Sequence, residues 1–229
     1  MARGVLVAGG TGALGGAVLA ELLDSGYDVT ATWLVERERE RVERDFGGRE
    51  GLSLVHADLM DLAAVKEAVD SVDDLGAVVN LVGGFAAGGR VHETDPAEFD
   101  RMLELNLRPG YLLAHAAMPR LVEAGGGAYV GVSARPALRP FAGAAGYVTA
   151  KAAVLAFVQA LDTEYRPDGI RSNAILPSVI DTLANRASQP DADHSKWVPP
   201  AEIARVVRFL VSDDSAPTSG AAVPVYGRA

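Results

Sequence analysis

The chain predicts an α/β fold: a doubly wound parallel sheet of about seven strands with helices on both faces. Three observations carry that reading. Short apolar runs alternate along the chain with segments whose apolar residues recur at helical spacing. The first run ends in a glycine-rich turn that leads straight into the first such helix. Finally, 229 residues, 49% of them hydrophobic, suit one α/β domain spanning 1–229 better than two small ones.

The run Val5-Leu-Val-Ala8 is too short for a helix and reads as the first strand. It meets Gly9-Gly-Thr-Gly12-Ala-Leu-Gly15, after which Leu14, Val18, Leu19, Leu22 and Leu23 mark a helix stopped at Ser25-Gly26. Glycines allow the tight turn and let backbone approach a pyrophosphate, while the helix N-terminus supplies free N–H groups and positive potential. The spacing is Gly-x-x-Gly-x-x-Gly, with Ala13 where a stricter dinucleotide pattern would place another glycine. Tyr27 to Trp33 alternates Val29, Ala31 and Trp33 with Asp28, Thr30 and Thr32, a second strand.

An Asp or Glu at the end of that strand would accept hydrogen bonds from the adenosine ribose of NAD. Here Trp33-Leu34-Val35 occupies the place, and the first carboxylate is Glu36. That favours NADP(H) over NAD(H), because a carboxylate there would repel the additional phosphate. Arg37 and Arg39 are candidates for the counter-charge, although Glu36 to Arg44 alternates in sign as a solvated helix face does.

Leu52-Ser-Leu-Val55 makes a third strand ending at Ala57-Asp58-Leu59, and Asp61 can cap the helix that follows. The run from Ala77 to Asn80 is a fourth strand, closed by Gly83 and Gly84. Asp95-Pro96 opens a long helix in which Asn106 is polar amid apolar neighbours. Ala128 to Ser133 is the fifth strand, Ile170 to Leu176 the sixth and Ala221 to Tyr226 the last, with a final helix starting at Pro199-Pro-Ala-Glu202. In such a sheet, ligands bind outside the carboxyl ends of the strands. Gly9, Asp58, Asn80 and Ser133 all fall there, so scattered residues become one candidate site.

Tyr147-Val-Thr-Ala-Lys151 supplies that site with chemistry. Residues four apart on a helix share a face, so the phenol and the ammonium can reach a common point. A nearby cation favours the phenolate and lowers a pKa that is otherwise ~10, making the tyrosine a usable proton donor and acceptor. A solvated Tyr/Lys edge would share this spacing; the surrounding motifs argue for the site.

Composition narrows the partners. A formal net charge of −9 argues against nucleic acid or an anionic membrane. No cysteine is present and the four histidines lack ligand spacing, so no metal site is expected. With no apolar run long enough to span a bilayer and no signal peptide at Met1-Ala-Arg-Gly, a soluble cytoplasmic protein is expected.

Taken together, these pieces resemble the short-chain dehydrogenase/reductase family along nearly the whole chain. They are Gly9-Gly-Thr-Gly-Ala-Leu-Gly15, Ala57-Asp58-Leu59, Asn80-Leu-Val-Gly83, Leu105-Asn106-Leu107, Tyr147 through Lys151, Arg171-Ser-Asn173-Ala-Ile-Leu-Pro177 and the end from Ser219 to Gly227. The resemblance implies a Rossmann fold holding a nicotinamide dinucleotide. It places Gly9, Thr11, Gly12, Leu14 and Gly15 at the pyrophosphate turn, Asp58 and Leu59 by the adenine, and Asn80 and Gly83 along the adenosine ribose side. Pro177, Ile180 and Thr182 fall where the family holds the carboxamide. Tyr147 would be the proton donor, Lys151 would sit on the nicotinamide ribose, and Asn106 would hold a water in the proton relay to Lys151.

Two departures stand out. The family's catalytic serine usually lies thirteen residues before the tyrosine; counting back reaches Ala134, with Ser133 one residue early. Ser133 regains the site only if the Arg135–Pro140 loop holds an extra residue, since neighbouring strand residues face opposite sides. The second departure is Pro177-Ser178, where Pro-Gly is usual. The alanine also resembles dihydropteridine reductases within the family, which keep the tyrosine and lysine without the serine.

The expected activity is hydride transfer to or from a carbonyl, quinonoid or imine carbon of a small molecule. A dinucleotide-binding regulator without turnover, or an epimerase or dehydratase on the same fold, are the alternatives. The polar stretch near 181–198 is expected to form a substrate lid, and association into a homodimer or homotetramer through the long apolar helices is expected.

Overall fold

The computed structural model describes residues 4–228. Seven parallel strands form one sheet in the order β3-β2-β1-β4-β5-β6-β7. They are β1 Gly4–Ala8, β2 Asp28–Trp33, β3 Leu52–His56, β4 Leu75–Asn80, β5 Gly127–Val132, β6 Ile170–Pro177 and β7 Ala222–Val225. Strand order reverses between β1 and β4, where Ala8 lies beside Asn80. Such a reversal leaves a crevice at the carboxyl ends, because the connections on either side leave in opposite directions.

The helices are α1 Gly15–Asp24, α2 Glu36–Phe46, α3 Leu62–Asp70, α4 Pro96–Glu123, α5 Ala145–Tyr165, α6 Leu183–Ser188 and α7 Pro200–Val211. Every residue of β1 and β4 is buried, which is why those strands read as unbroken apolar runs. Alternate strand residues feed the two layers. Leu6, Val78, Tyr129 and Leu176 pack with Val65, Leu113, Met118 and Leu161 of α3, α4 and α5. Val5, Val7, Val79 and Ile175 pack with Val18, Leu22, Val42, Val207 and Leu210 of α1, α2 and α7.

Local signals operate as expected at the helix starts. Asp61 accepts from the N–H of Ala63 and Asp95 from that of Ala97, each at 2.9 Å, and Pro96 takes a first-turn position where no N–H is needed. In α2 only Val42 is buried, so most of its alternating charges face solvent.

Three differences from the sequence expectation lie near the candidate site. β5 ends at Val132, so Ser133 lies just past the strand. Helix α5 starts at Ala145, putting Tyr147 in its first turn. The 181–198 stretch contains a short helix, α6, because the Thr182 hydroxyl accepts from the N–H of Asn185. Its neck is closed by a parallel bridge between Ile180 and Val198.

Candidate active site

The turn after β1 is shaped by two glycines. Gly9 sits at φ +73°, a left-handed conformation that favours glycine, and its N–H donates to the Thr32 hydroxyl at 3.1 Å. At Gly15 a Cβ would come within 2.0 Å of the Gly10 carbonyl oxygen, so only glycine lets α1 start so close to the turn. No side chain caps α1 and no acidic residue sits in its first turn. Its N-terminal N–H groups therefore remain available, the feature a pyrophosphate needs. Gly12 and Leu14 lie on this turn.

Helix α2 closes over the turn from the side, which the sequence reading missed. The Thr11 hydroxyl donates to Glu38 at 3.3 Å, and the Arg41 guanidinium donates to the Thr11 carbonyl. Glu38 and Arg41 are three apart, so the helical spacing that puts them on one face was the available signal. Of the two arginines considered from the sequence, Arg39 is engaged by Glu36 and Glu43 and lies over Trp33 at 5.5 Å, while Arg37 is exposed.

Asp58 and Leu59 follow β3. The Asp58 carboxylate accepts from the Met60 N–H at 2.9 Å, and Leu59 is buried. Asn80 is also buried: its Oδ1 accepts from the Val82 N–H at 3.1 Å, and a Cβ on Gly110 would lie 2.9 Å from its Nδ2. That side chain therefore joins the exit of β4 to α4, beneath the rim.

Gly83 is the hub. A Cβ there would lie 2.7 Å from Asn106 Oδ1 and 2.8 Å from Lys151 Nζ, so α4 and α5 deliver these two groups to the same point from either side. Asn106 is buried, its Oδ1 accepting from the Gly84 N–H at 3.1 Å and its Nδ2 donating to the Met102 carbonyl at 2.9 Å. Pro109 lacks the N–H that would bond the carbonyl of Leu105, which frees a backbone acceptor next to Asn106. Lys151 Nζ donates to the Val132 carbonyl at 3.0 Å and lies 6.0 Å from the centre of the Tyr147 ring. The exposed Phe85 stands edge-on to Tyr147, ring centres 4.9 Å apart.

Ser133 points elsewhere. It is buried, and its hydroxyl donates to the Lys151 backbone carbonyl at 2.7 Å. Ala134, the next residue, is buried in extended backbone. Pro177 ends β6, and the hydroxyl of Ser178 ties that end to the Tyr226 carbonyl at 2.9 Å. Ile180 lies in the bridge at the loop neck, and the Thr182 hydroxyl is occupied as the cap of α6.

The titration of the pair departs from the expectation of a cation-lowered phenol. Burial pushes the Tyr147 phenol up to about 12 and the Lys151 ammonium down to about 8. Desolvation disfavours the charged form of each, the phenolate and the ammonium. Near neutrality the phenol thus carries its proton, and the lysine is still mostly charged.

Comparison with known proteins agrees with this geometry. The family model described as Enoyl-(Acyl carrier protein) reductase matches residues 10–227. The 2-(R)-hydroxypropyl-CoM dehydrogenase of Xanthobacter autotrophicus is 28% identical over 99% of this chain and 98% of its own. The acetoacetyl-CoA reductase of Shinella zoogloeoides shows the same identity and coverage. A solved structure of ElxO with NADP bound shares the fold at a TM-score of 0.91, with 24% identity over 99% of this chain and 98% of that one. Among the described residues, no helix is long and apolar enough to cross a membrane. A doubly wound sheet, an uncapped helix behind a glycine turn and a Tyr/Lys pair at the same rim thus accompany a near full-length family match: the chain belongs to the short-chain dehydrogenase/reductase family and is an NAD(P)-dependent oxidoreductase.

Proposed function

We propose that this enzyme interconverts a small carbonyl compound and its alcohol, with Tyr147 handling the proton. A reduced nicotinamide supplies the hydride when bound. Tyr147 gives its proton to the oxygen as the carbon is reduced, so the carbonyl becomes an alcohol. Lys151 and Asn106 act behind Tyr147, the lysine orienting the ribose and returning a proton, the asparagine fixing the wall beside it. The observation that supports this most is the meeting of Asn106 and Lys151 over Gly83, one helical turn behind Tyr147. Steady oxidation of NADPH with a panel of small carbonyls tests it. A regulator would bind the dinucleotide and show no turnover, and an epimerase or dehydratase would return it unchanged.

NADP(H) is the preferred dinucleotide in this reading. No carboxylate immediately follows Trp33, and Arg41 brings a cation to the glycine turn, although Glu38 stands beside it. Titration should show tighter binding of NADPH than NADH, with Arg41→Ala narrowing the difference. A preference for NADH would overturn this and give Glu38 the role of ribose acceptor.

Subunits pair through α4 and α5, giving a dimer or tetramer. The support is an aromatic patch on those helices: Tyr111 is 54% exposed and packs with His115 and Phe157 at ring distances of 6.2 and 5.9 Å. Light scattering at micromolar concentration should give a mass above the 23.8 kDa monomer. The loop 181–198 serves as the lid, its closed neck at Ile180 and Val198 leaving the tip free to move.

A further inference from the structure

A cavity of about 250 Å³ opens beside Tyr147, between the starts of α4 and α5. Its apolar wall includes Phe99, Met102 and Ala144. Its charged wall is of one sign: Asp95, Glu98 and Asp100 line it and no lysine or arginine does. Among the described residues, none of those three carboxylates forms an ion pair. The N-terminus of α4, which would otherwise attract an anion, is already capped by Asp95.

Outside the cavity lining, on the side of Tyr147, two aromatic rings are left in water. Phe85 is 63% exposed while standing edge-on to Tyr147, and Phe141 is 47% exposed with its ring centre 6.5 Å from that of Phe85. Exposed rings cost free energy unless something covers them, and aromatic rings favour edge-to-face or offset contact with another flat π-system.

We infer that the substrate is a neutral, flat aromatic carbonyl compound, held against Phe85 and Phe141 with its carbonyl at Tyr147, and that anionic carbonyls are rejected by the carboxylate wall. The inference rests on the proposed carbonyl chemistry and names its substrate class. Phe85 is the specificity-determining residue: its ring can meet the face of the substrate while keeping its edge contact with Tyr147.

Three probes of similar reactivity separate the possibilities: 1-phenyl-1,2-propanedione (neutral, aromatic), 2,3-butanedione (neutral, aliphatic) and benzoylformate (aromatic, anionic). Binding to the full-length enzyme saturated with NADP+ is measured by calorimetry, and turnover with NADPH by absorbance. The aromatic dione should bind at least about tenfold more tightly than butanedione, from the area and ring contacts it adds. It should also exceed benzoylformate by about tenfold, because a carboxylate would face three others. Phe85→Ala should collapse the aromatic-to-aliphatic ratio to about twofold, while Phe85→Tyr, which keeps a ring, should restore it. Glu98→Gln should improve benzoylformate relative to the dione. Equal binding of the two neutral probes, benzoylformate binding best, or a ratio unmoved by Phe85→Ala would each overturn the inference. If every probe binds in the expected order but none is turned over, the carbonyl chemistry fails while the substrate class stands.

Discussion

The Ser133 hydroxyl donates to the backbone carbonyl of Lys151 across 2.7 Å, tying the end of β5 to the second turn of α5. That bond gives the Ser133 hydroxyl a structural partner and leaves Ala134 as the neighbouring residue. Ser133→Ala should therefore cost about 0.5–1.5 kcal/mol of stability, the net worth of one hydrogen bond, because the Lys151 carbonyl keeps its helical partner; turnover should stay near wild type. Ala134→Ser should raise the reduction of simple ketones, since one oxyanion donor is worth about 10²–10³ in rate elsewhere. If Ser133→Ala instead cripples turnover at unchanged stability, the hydroxyl must leave Lys151 and reach the substrate.

Tyr147→Phe removes the proposed proton donor and leaves the ring that Phe85 contacts. Turnover should fall about 10²–10⁴-fold with the dinucleotide affinity retained. Lys151→Ala should lower both affinity and rate. Wild-type rates in the phenylalanine variant would remove Tyr147 from the chemistry.

Gly83→Ala tests the convergence of α4 and α5. Its Cβ would fall 2.7 Å from Asn106 Oδ1 and 2.8 Å from Lys151 Nζ, closer than atoms tolerate, so one of those groups must move. Activity should drop by more than about tenfold, since small displacements of positioned groups are costly. Unfolding midpoints should change far less. An active variant with an altered fold stability alone would mean that neither group is held for catalysis.

Burial lowers Lys151 to about 8 from the 10.5 of an unfolded chain, and this makes stability depend on pH. Between those values the unfolded state binds more protons than the native state, so stability rises with pH across that window. Below about pH 8 both states carry the charge and the burial penalty is fully present, amounting to roughly 3 kcal/mol. Lys151→Met should then be more resistant to denaturant than wild type at pH 7, with the two converging as pH approaches 10. A constant difference from pH 7 to 10 would show that water reaches the ammonium.

Much of this protein could be read before it was seen folded, because some of its signals are local. Apolar runs such as Val5 to Ala8 must be strands sandwiched between helices, since nothing else buries every side chain of so short a segment. Asp61 and Asp95 cap the helices that follow them, a matter of backbone N–H groups two residues away. The glycine turn and the Tyr147/Lys151 spacing likewise carry their meaning in the chain itself.

What lay outside the sequence depends on distance in space. Whether a phenol is made more or less acidic follows from the balance of burial against a cation, and only the packed helices set that balance at Tyr147. The partner of the Ser133 hydroxyl is a carbonyl eighteen residues away on another element, and no local rule selects it. Glu38 and Arg41 reach the glycine turn only because β2 pairs beside β1, which brings α2 next to that turn. Local spacing determined the elements and singled out the candidate groups; tertiary packing decided which way each side chain points, because direction is fixed by neighbours that the chain order does not name.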